Sequence, residues 1–173
     1  ENSLDAHATD IVIEIQSGGK KLMSISDNGE GISKDDLLLA PVRHATSKIT
    51  SLEDIYNTDT FGFRGEAIAS ITHISQVSIL SKTLNEDAYK IHAHLGDIST
   101  PVLDTRDRGT TVTVVDLFEN VPVRSKFLKS NATETSYIFD IVLHYSLLRP
   151  DVGFVLISDQ KELINTRGIT ELE

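Results

Sequence analysis

The chain has 173 residues, enough for one domain with a sizeable core, and its composition of 39% hydrophobic and 24% charged residues is that of an ordinary globular protein. A formal net charge of −10 argues against stand-alone binding to phosphate backbones, which rests on Lys and Arg, so the basic cluster of Arg124, Lys126 and Lys129 reads on charge alone as solvated surface. The lack of cysteine removes disulfides and thiolate zinc sites, no apolar run approaches the ~20 residues that span a bilayer, and no signal-peptide pattern opens the chain.

Residues 1–6, ENSLDA, read as the last turn of a helix and as the middle of a longer protein. Ile11, Ile13 and Ile15 alternate with polar residues, the period of a half-buried strand. Gly18-Gly19 turns the chain into a second strand over residues 21–26, and the turn formers of residues 27–31, DNGEG, end it. Ser33 is placed to cap a helix over residues 34–39, with Asp35 and Asp36 in its first turn. A Gly-punctuated loop over residues 57–65 leads into a helix that starts near Gly65 and runs through Ala67, Ile68 and Ile71. Strand-like runs follow at residues 76–81, 88–94 and 110–116, and residues 128–131 form a loop. Ile138, Ile141, Val142 and Tyr145 give residues 133–148 helical apolar spacing, which Pro150 stops before two last strands at residues 152–158 and 162–165. Hairpins mixed with helices, without regular βαβ alternation, predict an α+β two-layer sandwich: a mixed β-sheet with helices on one face.

Four segments could carry chemistry. Asn2 and Asp5 stand three apart on one face of the first helix. DNGEGI, residues 27–32, offers a carboxylate at a strand end beside glycines that let a flat ring approach the backbone, although a plain Asn-Gly turn is the commoner meaning of such a string. RHATSKI, residues 43–49, and FGFRGEAI, residues 61–68, combine hydroxyls and a lysine with a Gly-rich loop running into a helix start, where backbone N–H groups and the helix dipole cradle phosphates. Gly109-Thr110-Thr111 heads a strand, and alone means no more than that. His92 and His94 share a strand face without an evident third metal ligand, so a solvated face is the better reading. Tyr137, Phe139 and Tyr145 read as core or packing residues.

In this order the four segments resemble the GHKL family of ATPases, which includes gyrase B-type topoisomerases, Hsp90 chaperones, histidine kinases and MutL. ENSLDA, DNGEGI, RHATSKI, FGFRGEAIASI, GTTVTVVDLF and NVPVRSKFLK are similar to the MutL branch of that family, with its Mlh and Pms relatives, and cover nearly the whole chain. The chain departs from the branch at His7, where Gly is usual, and at Glu119, Val121 and Val123.

The resemblance implies a GHKL ATP-binding domain over residues 1–173 with ATP and Mg²⁺ as cofactors. It implies that Asn2 binds Mg²⁺ through its side-chain oxygen and that Asp27 meets the adenine amino group, which guanine replaces with an oxygen. Gly29 and Gly31 would fit the ring beside the chain, and Thr110 would support it through hydroxyl and water. Thr46, Ser47 and Lys48 would follow the sugar and phosphates, and Arg64, Gly65, Glu66, Ala67 and Ile68 would supply a phosphate lid that orders on binding ATP. The hydrolytic Glu, four residues before Asn2, and a γ-phosphate lysine of a following transducer domain are expected beyond residues 1–173, which on their own are then expected to be inactive. Glu1 is not that base, because it points to another side of the helix.

The implied role is a slow ATP switch. A homodimer or a MutL-type heterodimer closes on ATP and relays mismatch recognition from a MutS-type partner to strand incision. DNA contact is weak for this acidic chain, no membrane is involved, and the setting is cytoplasmic in a bacterium or nuclear in a eukaryote. A topoisomerase- or chaperone-type ATPase of the same family and a nucleotide-binding interaction module without turnover are the alternatives; the FRGEA and RHATSK strings speak against the first.

Overall fold

The computed structural model describes residues 1–42 and 67–168. In chain order the elements are α1 (Asn2–Asp5), β1 (Asp10–Gln16), β2 (Leu22–Asp27), α2 (Lys34–Leu37), α3 (Ala67–Thr72), β3 (Gln76–Lys82), β4 (Ala88–His94), β5 (Asp97–Ile98), β6 (Val102–Asp104), β7 (Gly109–Val115), α4 (Pro122–Ser125), α5 (Asn131–Leu148), β8 (Gly153–Ser158) and β9 (Lys161–Asn165). Among the described residues the nine strands form one sheet in the order β5-β4-β3-β7-β2-β1-β8-β9, with β6 on β4. β1 and β8 run parallel and the other pairs antiparallel, so the sheet is mixed.

The register shows why one face is covered. Ile13 lies opposite Ile25 and Leu156, Ile25 opposite Val112, Val112 opposite Ile79, and Ile79 opposite Ile91. Paired residues share a face, so this is one apolar row across six strands. α1 and α5 bring Leu4, Ile138 and Val142 onto its β1-β8 half, against Ile11, Ile15, Phe154 and Leu156. α2 and α3 bring Leu37, Ile68 and Ile71 onto its other half, against Val77, Ile79, Ile91 and Val114. Met23 touches both clusters and joins them. The opposite face mixes apolar residues with polar pairs: Ser26 pairs its hydroxyl with Thr111 at 2.9 Å, and Ser24 with Thr113 at 3.3 Å. His92 and His94 stand exposed on that open side.

The expected α+β sandwich is therefore present, with three adjustments. α5 begins at Asn131 rather than 133, because Ser130 accepts from the Thr133 amide and caps it. The two-residue β5 and three-residue β6 and the four-residue α4 had too little periodicity to be predicted. Tyr137 and Ile141, expected to pack, are 54% and 56% exposed, because the core takes α5 through Ile138, Val142 and Tyr145. The predicted loop over residues 57–65, and the helix start near Gly65, lie outside the described residues.

Two positions are set by backbone crowding. Gly31 has φ +79°, and a Cβ there would be driven into the Lys82 carbonyl; Gly109 has φ +122°, and a Cβ would enter the Asp27 carbonyl. Both obstacles are main chain and cannot swing away. Gly31→Ala is expected to cost at least about 2 kcal/mol, from the left-handed backbone and the clash together. Urea unfolding measures it, and a change below about 0.5 kcal/mol would mean that the loop has room to shift.

The contact between α1 and α5 has its own signature. The Tyr145 hydroxyl donates to Glu1 Oε1 at 2.8 Å. Burial, the hydrogen bond to Glu1 and the nearby charges of Glu1 and Asp5 push its pKa up from 10.0 to about 12. The folded chain then keeps a proton that the unfolded chain loses, so stability is unaffected below pH 10 and falls as pH rises from about 10 to about 12. A spectrophotometric titration should show a late-ionising tyrosine, and Tyr145→Phe should remove that step. A titration curve that Tyr145→Phe leaves unchanged above pH 10 would contradict the contact.

Candidate functional site

The residues singled out at the start of the chain and those near residue 110 meet at one end of the sheet. β2 ends at Asp27, β7 begins at Gly109, and α1 lies over this end. Asp27 is buried, 8% exposed, and its carboxylate is held from three sides. Oδ2 accepts from the Ser3 hydroxyl at 2.8 Å, and Oδ1 accepts from the Gly29 amide at 3.0 Å and the Thr110 amide at 3.1 Å. An ionised carboxylate offers about four lone-pair positions. Three are used, so one further donor can be taken.

The neighbouring groups are equally constrained. Ser81, 1% exposed, accepts from the Ile32 amide at 2.8 Å, donates toward the Gly109 carbonyl at 3.1 Å and pairs with the Thr110 hydroxyl at 2.8 Å. It thereby ties the end of the DNGEGI loop to the Gly-Thr strand start. Asn28 faces away from the carboxylate: its Oδ1 accepts from the amides of Thr9 and Asp10, and its Nδ2 donates to Thr9 Oγ1. The middle residue of the Asp-Asn-Gly turn thus fastens the start of β1. No buried side-chain nitrogen or oxygen among the described residues lacks a partner.

The glycines of the loop have a reason beyond close approach of a ligand. A Cβ on Gly29 would lie 2.6 Å from the Ala6 carbonyl, and Gly31 packs on Lys82. Both are needed for the loop to lie against α1 and β3. The Glu30 amide donates to the Ala6 carbonyl at 2.9 Å, so the loop is also bonded to the end of α1. Beside it His7 takes a left-handed φ of 55° and faces Glu30 at 3.2 Å in an exposed pair. That conformation explains why Gly is the expected residue at this position.

Asn2 stands exposed in the first turn of α1, one residue before the serine that holds Asp27. Among the described residues no group of three or more His, Cys, Asp or Glu could hold a metal by itself. One amide oxygen suits a hard cation that takes its other ligands from phosphates and water. Ala67 and Ile68 open α3, with Ile68 packed onto the core. Thr46, Ser47, Lys48, Arg64, Gly65 and Glu66 lie outside the described residues. Two open grooves lie away from Asp27: one of about 610 Å³ between Lys34, Lys82, Glu86 and Tyr89, and one of about 570 Å³ along Lys21, Asp116, Phe118 and Pro122.

Three site residues gave no usable signal in the sequence. Ser3 sits inside the quoted ENSLDA string but bonds to a residue 24 positions away. Ser81 is one of several alternating strand residues. Arg106 lies in a charged stretch, DTRDRG, that reads as solvated, yet its guanidinium donates to the Asp27 carbonyl at 2.7 Å, the Leu80 carbonyl at 3.0 Å and Thr111 Oγ1 at 3.0 Å. Burial lowers its pKa, opposed by the charges of Asp27 and Asp107.

The family described as histidine kinase-, DNA gyrase B- and HSP90-like ATPases matches residues 1–116. The chain is 47% identical over 173 residues to the DNA mismatch repair protein MutL of Dictyoglomus thermophilum, covering 100% of this chain and 30% of that protein. It is 48% identical over 169 residues to the MutL protein of Thermosipho africanus, covering 97% and 30%. Among solved structures, the Aquifex aeolicus MutL ATPase domain complexed with ADP superposes with a TM-score of 0.73 at 32% identity, over 95% of this chain and 58% of that one. The chain thus spans about 30% of the length of these full-length relatives. With the sheet order, the strand-end carboxylate and the similarity over its whole length taken together, the chain belongs to the histidine kinase-, DNA gyrase B- and HSP90-like ATPase family, in its MutL branch.

Proposed function

We propose that this domain binds ATP with Mg²⁺, that Asp27 selects the adenine, and that the whole protein uses slow ATP hydrolysis as a dimerisation switch in mismatch repair. The observation that carries the reading is the Asp27 carboxylate, buried, held by Ser3, Gly29 and Thr110, and left with one accepting position. The adenine amino group is a donor that suits this position, whereas guanine presents an oxygen there and is repelled. Thr110, with its hydroxyl against Ser81, stands where a second contact to the ring can be made directly or through water. Gly29 and Gly31 keep side chains out of the loop beside the ring. Asn2 would hold Mg²⁺, which when bound offsets the charge of the phosphates.

Thr46, Ser47, Lys48, Arg64, Gly65, Glu66, Ala67 and Ile68 are assigned the sugar and phosphates by their similarity to the MutL lid. The proposal takes residues 1–173 as one ATP-binding unit, since β8 and β9 extend the same sheet as β1. At the level of the whole protein it includes pairing of two N-terminal domains, as a homodimer or heterodimer, exchange with a MutS-type partner, and weak contact with DNA. The bacterial MutL relatives support this reading and a cytoplasmic setting. Among the described residues no helix is long and apolar enough to cross a membrane.

Calorimetry with ATP and GTP tests the adenine site. Asp27→Ala should lose a charge-assisted hydrogen bond, about 1.5–3 kcal/mol, or roughly tenfold to a hundredfold in ATP affinity. Unchanged affinity would remove Asp27 from the site. The metal has a separate test: in Asn2→Ala, ATP binding should become nearly indifferent to added Mg²⁺, and full retention of the Mg²⁺ dependence would show that another group is the ligand.

A further inference from the structure

We propose that Arg106 is a positioning residue for base selection: it fixes the main chain of Asp27 so that the carboxylate meets the adenine amino group. The inference rests on the adenine reading and adds to it a residue that touches neither base nor phosphate.

The argument starts from the end of the sheet. The β2-β7 register closes at the Ser26–Thr111 pair, and the Asp27 carbonyl lies one residue beyond it. Gly109 is folded so tightly over that carbonyl that no Cβ fits. The oxygen accepts from Arg106 Nη2 at 2.7 Å, while Nη1 of the same guanidinium donates to the Leu80 carbonyl and to Thr111 Oγ1, both at 3.0 Å. Nε donates to the Asp107 carbonyl at 2.8 Å, which holds the side chain back onto its own loop. One planar group therefore joins the ends of β2, β3 and β7, the strands that carry Asp27, Ser81 and Thr110. Asp27 and Thr110 form the proposed base site and Ser81 backs Thr110, so their separation depends on the fork.

A guanidinium does this where an ammonium cannot, because its donors diverge in a fixed plane toward three acceptors. Its charge also lies near a buried carboxylate whose other neighbours are a serine hydroxyl and two amides. A tie that merely held the fold together would weaken every ligand alike. A group acting through Asp27 weakens only a base that Asp27 recognises.

The test is a double-mutant cycle read by calorimetry, with ATP and inosine triphosphate as probes and thermal unfolding in parallel. Inosine triphosphate keeps the sugar and phosphates but carries an oxygen in place of the amino group. Arg106→Ala should weaken ATP roughly tenfold and leave inosine triphosphate within about twofold, and in an Asp27→Asn background the same change should cost ATP less than about twofold. Arg106→Lys, the variant to use if the alanine does not fold, should show the same pattern at roughly threefold. An equal loss for both nucleotides, an equal loss with and without Asp27→Asn, or no loss at all would overturn the role of Arg106. If the unaltered protein binds both nucleotides equally, or if Asp27→Asn leaves ATP affinity unchanged, the adenine reading itself fails.

Discussion

One carboxylate organises this end of the molecule. Asp27 closes β2 and turns its side chain toward the helix-covered face, where the hydroxyl of α1 and two main-chain amides from different segments converge on it. Burying an ionised group without such donors is costly, and satisfying every lone pair would leave nothing for a ligand. Three donors place it between those limits. The same three donors come from ENSLDA, DNGEGI and GTT, so segments more than 80 residues apart are bound into one site through a single side chain.

The surrounding backbone is built to bring those segments close. The loop after β2 lies against the end of α1 and the end of β3, and the chain before β7 lies over the Asp27 carbonyl; at each approach a glycine stands where a Cβ would strike main chain. Ser81 and Arg106 then occupy the remaining polar positions, one inside the sheet end and one across it. The candidate site is thus a property of a sheet end rather than of one loop, which would suit the proposed discrimination between bases that differ by a donor and an acceptor.

Much of this was legible beforehand because it is local. Alternating Ile11, Ile13 and Ile15, the cap at Ser33 and the Gly18-Gly19 turn were readable from period and turn chemistry, and the structure has them. The order of four short strings pointed to the family and hence to Asp27 and Thr110, which the structure brings together. Ser3, Ser81 and Arg106 were not legible, because nothing within a few residues of each distinguishes it from surface: their partners come from other elements brought close by the fold, across 24, 29 and 79 positions. Tyr137 and Ile141 misled for the opposite reason. Over residues 137–148 α5 is apolar on most of its sides, so spacing could not say which stripe meets the sheet.

The central claim is that Asp27 keeps its three protein donors and takes its fourth from adenine. A crystal structure of the domain with ADP or a non-hydrolysable ATP analogue and Mg²⁺ tests it most directly. The account predicts the adenine amino nitrogen within 3.2 Å of an Asp27 carboxylate oxygen, with the bonds from Ser3, Gly29 and Thr110 retained. A nucleotide seated elsewhere, or an Asp27 side chain turned away from those donors to reach the base, would contradict it.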